Sequence, residues 1–195
     1  MTADPQAEKR PLRERMLALR RALPEAGRTE AAELVASHSL VFLAARPPAT
    51  ISVYAAIAPE LDPGPLVARV RSAGYRVCLP VMVGRDRPLE FRAYAPGDAL
   101  ATTLWGIREP LATAPVVAPD VVITALLAVD RAGWRLGYGG GYFDRTLARL
   151  RDMKPVVAVG LAYDEQVIDA VPHTVYDQRL DWVLTPSGPF KPTGP

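Results

Sequence analysis

The sequence predicts an α/β domain. Short runs of β-branched and apolar residues alternate with segments of helical periodicity, and a dense glycine loop stands directly before one of those segments. From Pro11, apolar residues recur as Leu12, Met16, Leu19 and Leu23, at spacings of four, three and four. That pattern predicts a helix, and proline is tolerated in its first turn. Arg13 and Arg20 flank this apolar stripe. Pro24 predicts a break, followed by a second helix through Ala31, Leu34, Val35 and Leu40 that Pro47 and Pro48 terminate. Thr50–Tyr54 reads as a first strand. A short helix over Pro65–Ser72, stopped at Gly74, leads into the near-continuous apolar run Tyr75–Val81. Such a run suits a strand covered on both faces, and strand, helix, strand in this order predicts a parallel pair. Further strands are expected at Leu89–Tyr94, Val121–Thr124, Val156–Leu161 and Trp182–Thr185, with a helix over Phe143–Arg151. The stretch from Ala95 to Asp120 reads as irregular. Residues 1–185 are expected to form one domain, and the Pro- and Gly-rich residues 186–195 a mobile tail.

Composition narrows the function. With 49% hydrophobic and 23% charged residues in a chain of 195, there is material for a sizeable core. The formal net charge of +2 is too small for a nucleic-acid-binding surface, and the basic run of Arg10, Arg13, Arg15, Arg20 and Arg21 reads as a solvated helix face. The single cysteine, Cys78, excludes an internal disulfide and any multi-cysteine metal site. No apolar run approaches the ~18 residues of a membrane span, and the polar start lacks the apolar core of a secretory signal. The cytoplasm is the expected compartment, with small molecules and no nucleic acid or membrane as partners, and a monomer the expected state. His38 and His173 have no metal-ligand partner at useful spacing, and no Gly-x-Ser-x-Gly elbow is present.

The chemistry concentrates in Arg135-Leu136-Gly137-Tyr138-Gly139-Gly140-Gly141-Tyr142-Phe143-Asp144-Arg145. Glycines allow positive φ and close backbone approach to a ligand. Several N–H groups then converge on one anion, reinforced by the positive end of the following helix. Arg135 and Arg145 add charge, and Asp144 is placed to hold a magnesium ion against a phosphate. The loop lacks the Gly-Lys-Ser/Thr ending of a P-loop and the third glycine of a dinucleotide fingerprint.

This segment resembles the signature of the 5-formyltetrahydrofolate cyclo-ligase family, and the resemblance extends over most of the chain. Lys9 and Arg13 look like that family's N-terminal Lys-x-x-x-Arg pair, and Glu60 like its acidic substrate contact. Trp105-Gly106-Ile107-Arg108-Glu109-Pro110 resembles its middle motif; Asp164-Glu165-Gln166 and Asp181 match late in the chain. Thr124-Ala125 and Val129 depart from the family pattern, which more often has proline and phenylalanine there.

The resemblance implies a three-layer α/β/α domain, similar to the sugar-phosphate isomerase and CoA-transferase group, with an N-terminal helical segment. It implies an enzyme that uses ATP to convert 5-formyltetrahydrofolate into 5,10-methenyltetrahydrofolate, releasing ADP and phosphate, by phosphorylating the formyl oxygen. It places ATP on Lys9, Arg13 and residues Arg135, Leu136, Gly137, Tyr138, Gly139, Gly140, Gly141, Tyr142 and Phe143, with Arg135 and Tyr142 catalytic. Folate falls to Glu60, Trp105, Tyr138, Gly139, Gly140, Gly141 and Tyr142, and magnesium to Asp144 and Asp181. Two other functions remain open to these residues: a non-catalytic folate-binding protein and a sugar-phosphate-type enzyme of similar fold.

Overall fold

The computed structural model describes residues 5–44, 48–103 and 106–193. Helices α1 (Pro5–Ala22) and α2 (Glu25–Ser37) and a 3-10 turn at Leu40–Leu43 open the chain. Strand β1 (Thr50–Ser52), helix α3 (Gly64–Ser72) and strands β2 (Arg76–Val81) and β3 (Glu90–Tyr94) follow. Next come β4 (Leu100–Thr102), β5 (Arg108–Pro110), β6 (Val121–Thr124), β7 (Ala128–Asp130) and β8 (Arg135–Leu136). Helix α4 (Tyr142–Met153), β9 (Val157–Leu161), β10 (Val167–Ile168), β11 (Trp182–Thr185) and β12 (Gly188–Phe190) complete the chain.

The main sheet has the order β12-β11-β9-β6-β1-β2-β3. Its five inner strands pair in parallel, and an antiparallel strand closes each edge. Alternation along the strands sorts side chains to two faces. Ile51, Val77, Leu79, Val121, Ile123, Val159 and Leu161 meet α2 and α3, whereas Cys78, Val122, Ala158 and Val183 meet Leu147 and Leu150 of α4. The result is three layers with a buried core on each side of the sheet. Each fully buried aliphatic side chain contributes roughly 1.5–3 kcal/mol. A third cluster seats α1 through Met16, which packs on Leu127, Ala128, Leu136 and Val171.

Several expectations need correction. Helix α1 starts at Pro5, so Pro11 lies inside it and Lys9 is a helical residue. Part of the expected tail is built into the sheet, since Gly188–Phe190 pair antiparallel with β11. The stretch from Ala95 to Asp120 contains the β4–β5 hairpin. Gly160 of β9 is required by packing: a Cβ there would lie 2.5 Å from Leu180 Cδ1 and 2.9 Å from Leu126 Cδ2.

From β1 the chain winds outward through β2 to β3. It then returns to β6 and winds the opposite way through β9 and β11. The crevice between β1 and β6 at the strands' C-terminal ends is therefore the topological switch point, where α/β sheets take ligands. Glu60 lies on the connection leaving β1, and the glycine loop on the connection leaving β6 by way of β7 and β8.

Candidate active site

Three basic residues of α1 lie on the face turned to the glycine loop, because positions 9, 13 and 20 share one side of a 3.6-residue helix. Arg13 Nε donates to the Gly137 carbonyl at 2.9 Å. A Cβ at Gly139, where φ is +104°, would sit 3.5 Å from the Arg13 guanidinium carbon. Arg20 is only 3% exposed; its Nη2 donates to the Tyr138 hydroxyl at 2.6 Å. Tyr138 in turn donates to Glu60 Oε1, and Glu60 Oε2 accepts the Ile57 N–H at 2.9 Å. Burial, then the Glu60 charge, raises the Tyr138 phenol above its ordinary value. It stays a neutral donor at every physiological pH.

Lys9 is buried and reaches both oxygens of Asp177, at 2.6 and 2.9 Å. Asp177 also accepts from the Thr174 backbone and hydroxyl, at 2.6 and 3.0 Å. Burial works against that carboxylate's charge, but the bonds from Lys9 and Thr174 outweigh it and hold Asp177 below the ordinary aspartate range.

The loop ends at Gly141, whose φ of +63° makes it the left-handed cap of α4. Tyr142 folds back over Gly140, whose Cβ position lies 2.8 Å from the ring. Arg145 closes the other side, donating to the Gly140 carbonyl at 2.6 Å, with its guanidinium 5.3 Å from the Tyr142 ring centroid. Arg20 Nε and Arg145 Nε are both buried without a hydrogen-bond partner among the described residues. Both guanidinium groups therefore keep one N–H uncommitted to the protein beside the glycine loop.

Arg135 is buried and committed. It donates to the Gln178 carbonyl at 2.8 Å and to Asp144 Oδ1 at 2.9 Å. Burial lowers its affinity for the proton, and Asp144 opposes that loss. Asp144 Oδ1 also accepts the Gln178 N–H at 2.9 Å. Arg135 therefore orients Asp144, and both of its Nη groups are engaged by protein partners. The Leu136 and Phe143 side chains pack into the core. Trp105 lies outside the described residues.

Asp181 is not brought to Asp144. Its Oδ2 accepts from Arg151 at 2.9 Å and from the Ala158 N–H at 2.7 Å. Arg151 is two turns along α4 from Asp144, about 10 Å at 1.5 Å per residue. Asp181 thus clamps the N-terminal ends of β9 and β11, the end of the sheet opposite the loop, and the two carboxylates do not fit one shared ion. Asp144 Oδ1 carries both of that carboxylate's protein contacts, from Arg135 and the Gln178 N–H. Among the described residues no group of three His, Cys, Asp or Glu could hold a metal. An open groove of about 660 Å³ at that opposite end borders Asp120, Arg151 and Lys154. Two of its cations are paired, Lys154 with Asp120 at 2.6 Å and Arg151 with Asp181, while Arg76 donates to the Pro48 carbonyl.

One residue of the late motif and one of the middle motif are structural. Gln166 accepts the Tyr163 N–H and donates to the Leu126 and Leu127 carbonyls, and Glu109 accepts the Met82 N–H. Cys78 is buried, with its thiol pushed up to about 12 by desolvation, so it is no nucleophile. The basic run that includes Arg20 reads in the sequence as a solvated helix face, and the structure corrects this for Arg20, which is buried and bonded to Tyr138; the sequence assigns no role to Thr174, Asp177 or Gln178. Only Arg20 carried a signal, its helical phase with Lys9 and Arg13.

A three-layer α/β domain with a glycine-loop anion cradle at its switch point, flanked by buried cations, defines a phosphate-handling α/β enzyme. The profile of the 5-formyltetrahydrofolate cyclo-ligase family matches residues 5–186. The chain belongs to that family. A 5-formyltetrahydrofolate cyclo-ligase of Escherichia coli K12 is 35% identical over 173 residues, covering 86% of this chain and 94% of that protein. One from Mycolicibacterium smegmatis is 34% identical over 184 residues, covering 90% and 92%. The solved structure of Aquifex aeolicus 5,10-methenyltetrahydrofolate synthetase superposes with a TM-score of 0.77 at 27% identity, covering 96% of this chain and 94% of that one.

Proposed function

We propose that this chain catalyses the ATP-dependent cyclisation of 5-formyltetrahydrofolate to 5,10-methenyltetrahydrofolate. The carrying observation is the meeting of Arg13 with the Gly137–Gly141 loop, opposite Glu60, at the sheet's switch point in a member of this family. The formyl oxygen attacks the γ-phosphorus of ATP, the bond from phosphorus to the bridging oxygen breaks, and ADP leaves. The neighbouring N10 amine then attacks the formyl carbon. Phosphate departs with the former formyl oxygen, N10 loses its proton, and the ring is closed. No protein nucleophile is needed; positioning and charge stabilisation do the catalysis.

In this reading the loop N–H groups and the N-terminus of α4 hold the transferring phosphoryl group. Arg13 and Lys9 counter the charge of the departing ADP, and Lys9 exchanges Asp177 for phosphate when ATP binds. Glu60 accepts hydrogen bonds from the folate, and the Tyr142 ring offers it a flat face. A bound magnesium ion would neutralise phosphate oxygens from Asp144, with Arg135 fixing that carboxylate. Kinship with the sugar-phosphate isomerase and CoA-transferase group is part of the reading and rests on the layered sheet alone. So is a cytoplasmic monomer, for which sedimentation of the pure protein is the check.

The test is near-UV absorbance with the purified protein, 5-formyltetrahydrofolate, ATP and magnesium, because the conjugated product absorbs where the substrate does not. A rise that requires both ATP and magnesium is expected. Tight folate binding without ATP consumption would overturn the enzyme reading, and turnover without ATP would favour a sugar-phosphate-type activity.

A further inference from the structure

We infer that Tyr138, held by Arg20, is a positioning residue that fixes the folate-side carboxylate Glu60. The inference rests on the reading of Glu60 as the folate contact. Arg20 comes from the last turn of α1, where a cation is favoured by the helix dipole. As a guanidinium it only donates, so its 2.6 Å bond to Tyr138 occupies the phenol oxygen as acceptor. The phenol proton is then left for one partner, and that partner is Glu60 Oε1. With Ile57 N–H on Oε2, each Glu60 oxygen has one protein donor. The two bonds restrain the carboxylate's rotation and leave lone pairs on both oxygens for a further donor.

A loop staple would not need this arrangement. Arg20 is buried with Nε unpartnered, whereas Tyr138 is 51% exposed at the site's mouth. A cation that serves only to tie α1 down would be better placed on a carbonyl, as Arg13 is on Gly137. Here the charge is passed through a neutral phenol to the Glu60 carboxylate at the switch point. The chain Arg20–Tyr138–Glu60 also joins the helix that carries the ATP-side cations to the folate side of the site, so a displaced α1 releases Glu60.

The experiment is a double-mutant cycle on the full-length protein with Tyr138→Phe, which keeps the ring, and Glu60→Gln, reading KM for 5-formyltetrahydrofolate and for ATP separately. Tyr138→Phe is expected to raise the folate KM about tenfold, as for one lost charge-assisted hydrogen bond, and the ATP KM by less than a third of that factor. In the Glu60→Gln background the same change is expected to add less than twofold. Arg20→Lys is expected to recover more of the folate KM than Arg20→Gln, with melting temperatures of the two compared to separate loss of folding. Equal rises in both KM values, or an effect of Tyr138→Phe that persists undiminished in Glu60→Gln, would overturn the inference. A folate KM unmoved by Glu60→Gln itself would instead overturn the assignment of Glu60.

Discussion

Asp144 and Asp181 are the same residue type with opposite duties, and their partners decide which is which. Asp144 is held at the mouth of α4 by Arg135 and Gln178; Asp181 ties Arg151 to β9. Asp144→Asn is expected to raise the magnesium concentration needed for half-maximal turnover by about tenfold, since a charged ligand becomes neutral. Asp181→Asn is expected to leave that magnesium titration in place and to lower the melting temperature, losing about 1–3 kcal/mol as a charge-assisted bond is weakened. A shift of the magnesium midpoint in the second variant would place Asp181 at the metal after all. Gly160→Val is a packing counterpart. Its branches have no room against Leu180 and Leu126, and a cost of about 1–3 kcal/mol in urea unfolding is expected, as for other overpacked cores.

Helix α4 and the loop before it were legible in the sequence because glycine density and apolar phase are local signals. The same holds for β6, β9 and β11, each a short apolar run. The elements that escaped are those whose formation depends on a distant partner. The two-residue strands β8 and β10 exist only because β7 lies between them, and β12 only because β11 offers an edge. The start of α1 escaped for a different reason: Pro11 looks like a first-turn residue, yet the helix runs through it and is seated by Met16 on Leu127, Ala128, Leu136 and Val171, all distant in sequence. Of the candidate site, the loop was legible from its glycine density, and Glu60 and Arg13 were singled out only by the family resemblance, while Asp177 could not be read, because nothing near it in sequence says that Lys9 will be its partner. At this level the loop's strain is testable. Gly141→Ala must hold a left-handed φ and displace Arg145, whose Nη1 lies 2.7 Å from the Cβ position. A cost of roughly 1–2 kcal/mol is expected to appear as a rise in ATP KM of about tenfold, with circular dichroism retained.

Across the molecule, charge pairs are spread over both ends of the sheet, and two of them set its acid limit. Asp177 and Asp120 are both held below the ordinary aspartate value, burial opposing and the lysine and backbone bonds prevailing. A carboxylate depressed in the folded state contributes stability that is complete above its unfolded value, about 3.9, and is lost as pH falls through the folded one. Unfolding by urea is therefore expected to ease steeply on acidification below that point, and Asp177→Asn is expected to flatten the dependence. A slope identical to that of the parent would remove Asp177 from the account. The closure of the parallel sheet by β12 has a practical reach beyond catalysis. A chain cut after Thr185 would keep the glycine loop, Glu60 and α1, yet it would bare the outer ladder of β11, an open template onto which a second molecule can add a strand. Such a truncation is expected to assemble into higher-order species while its individual molecules remain competent, so a loss of soluble yield in shortened versions would report on an uncapped edge and not on a damaged site.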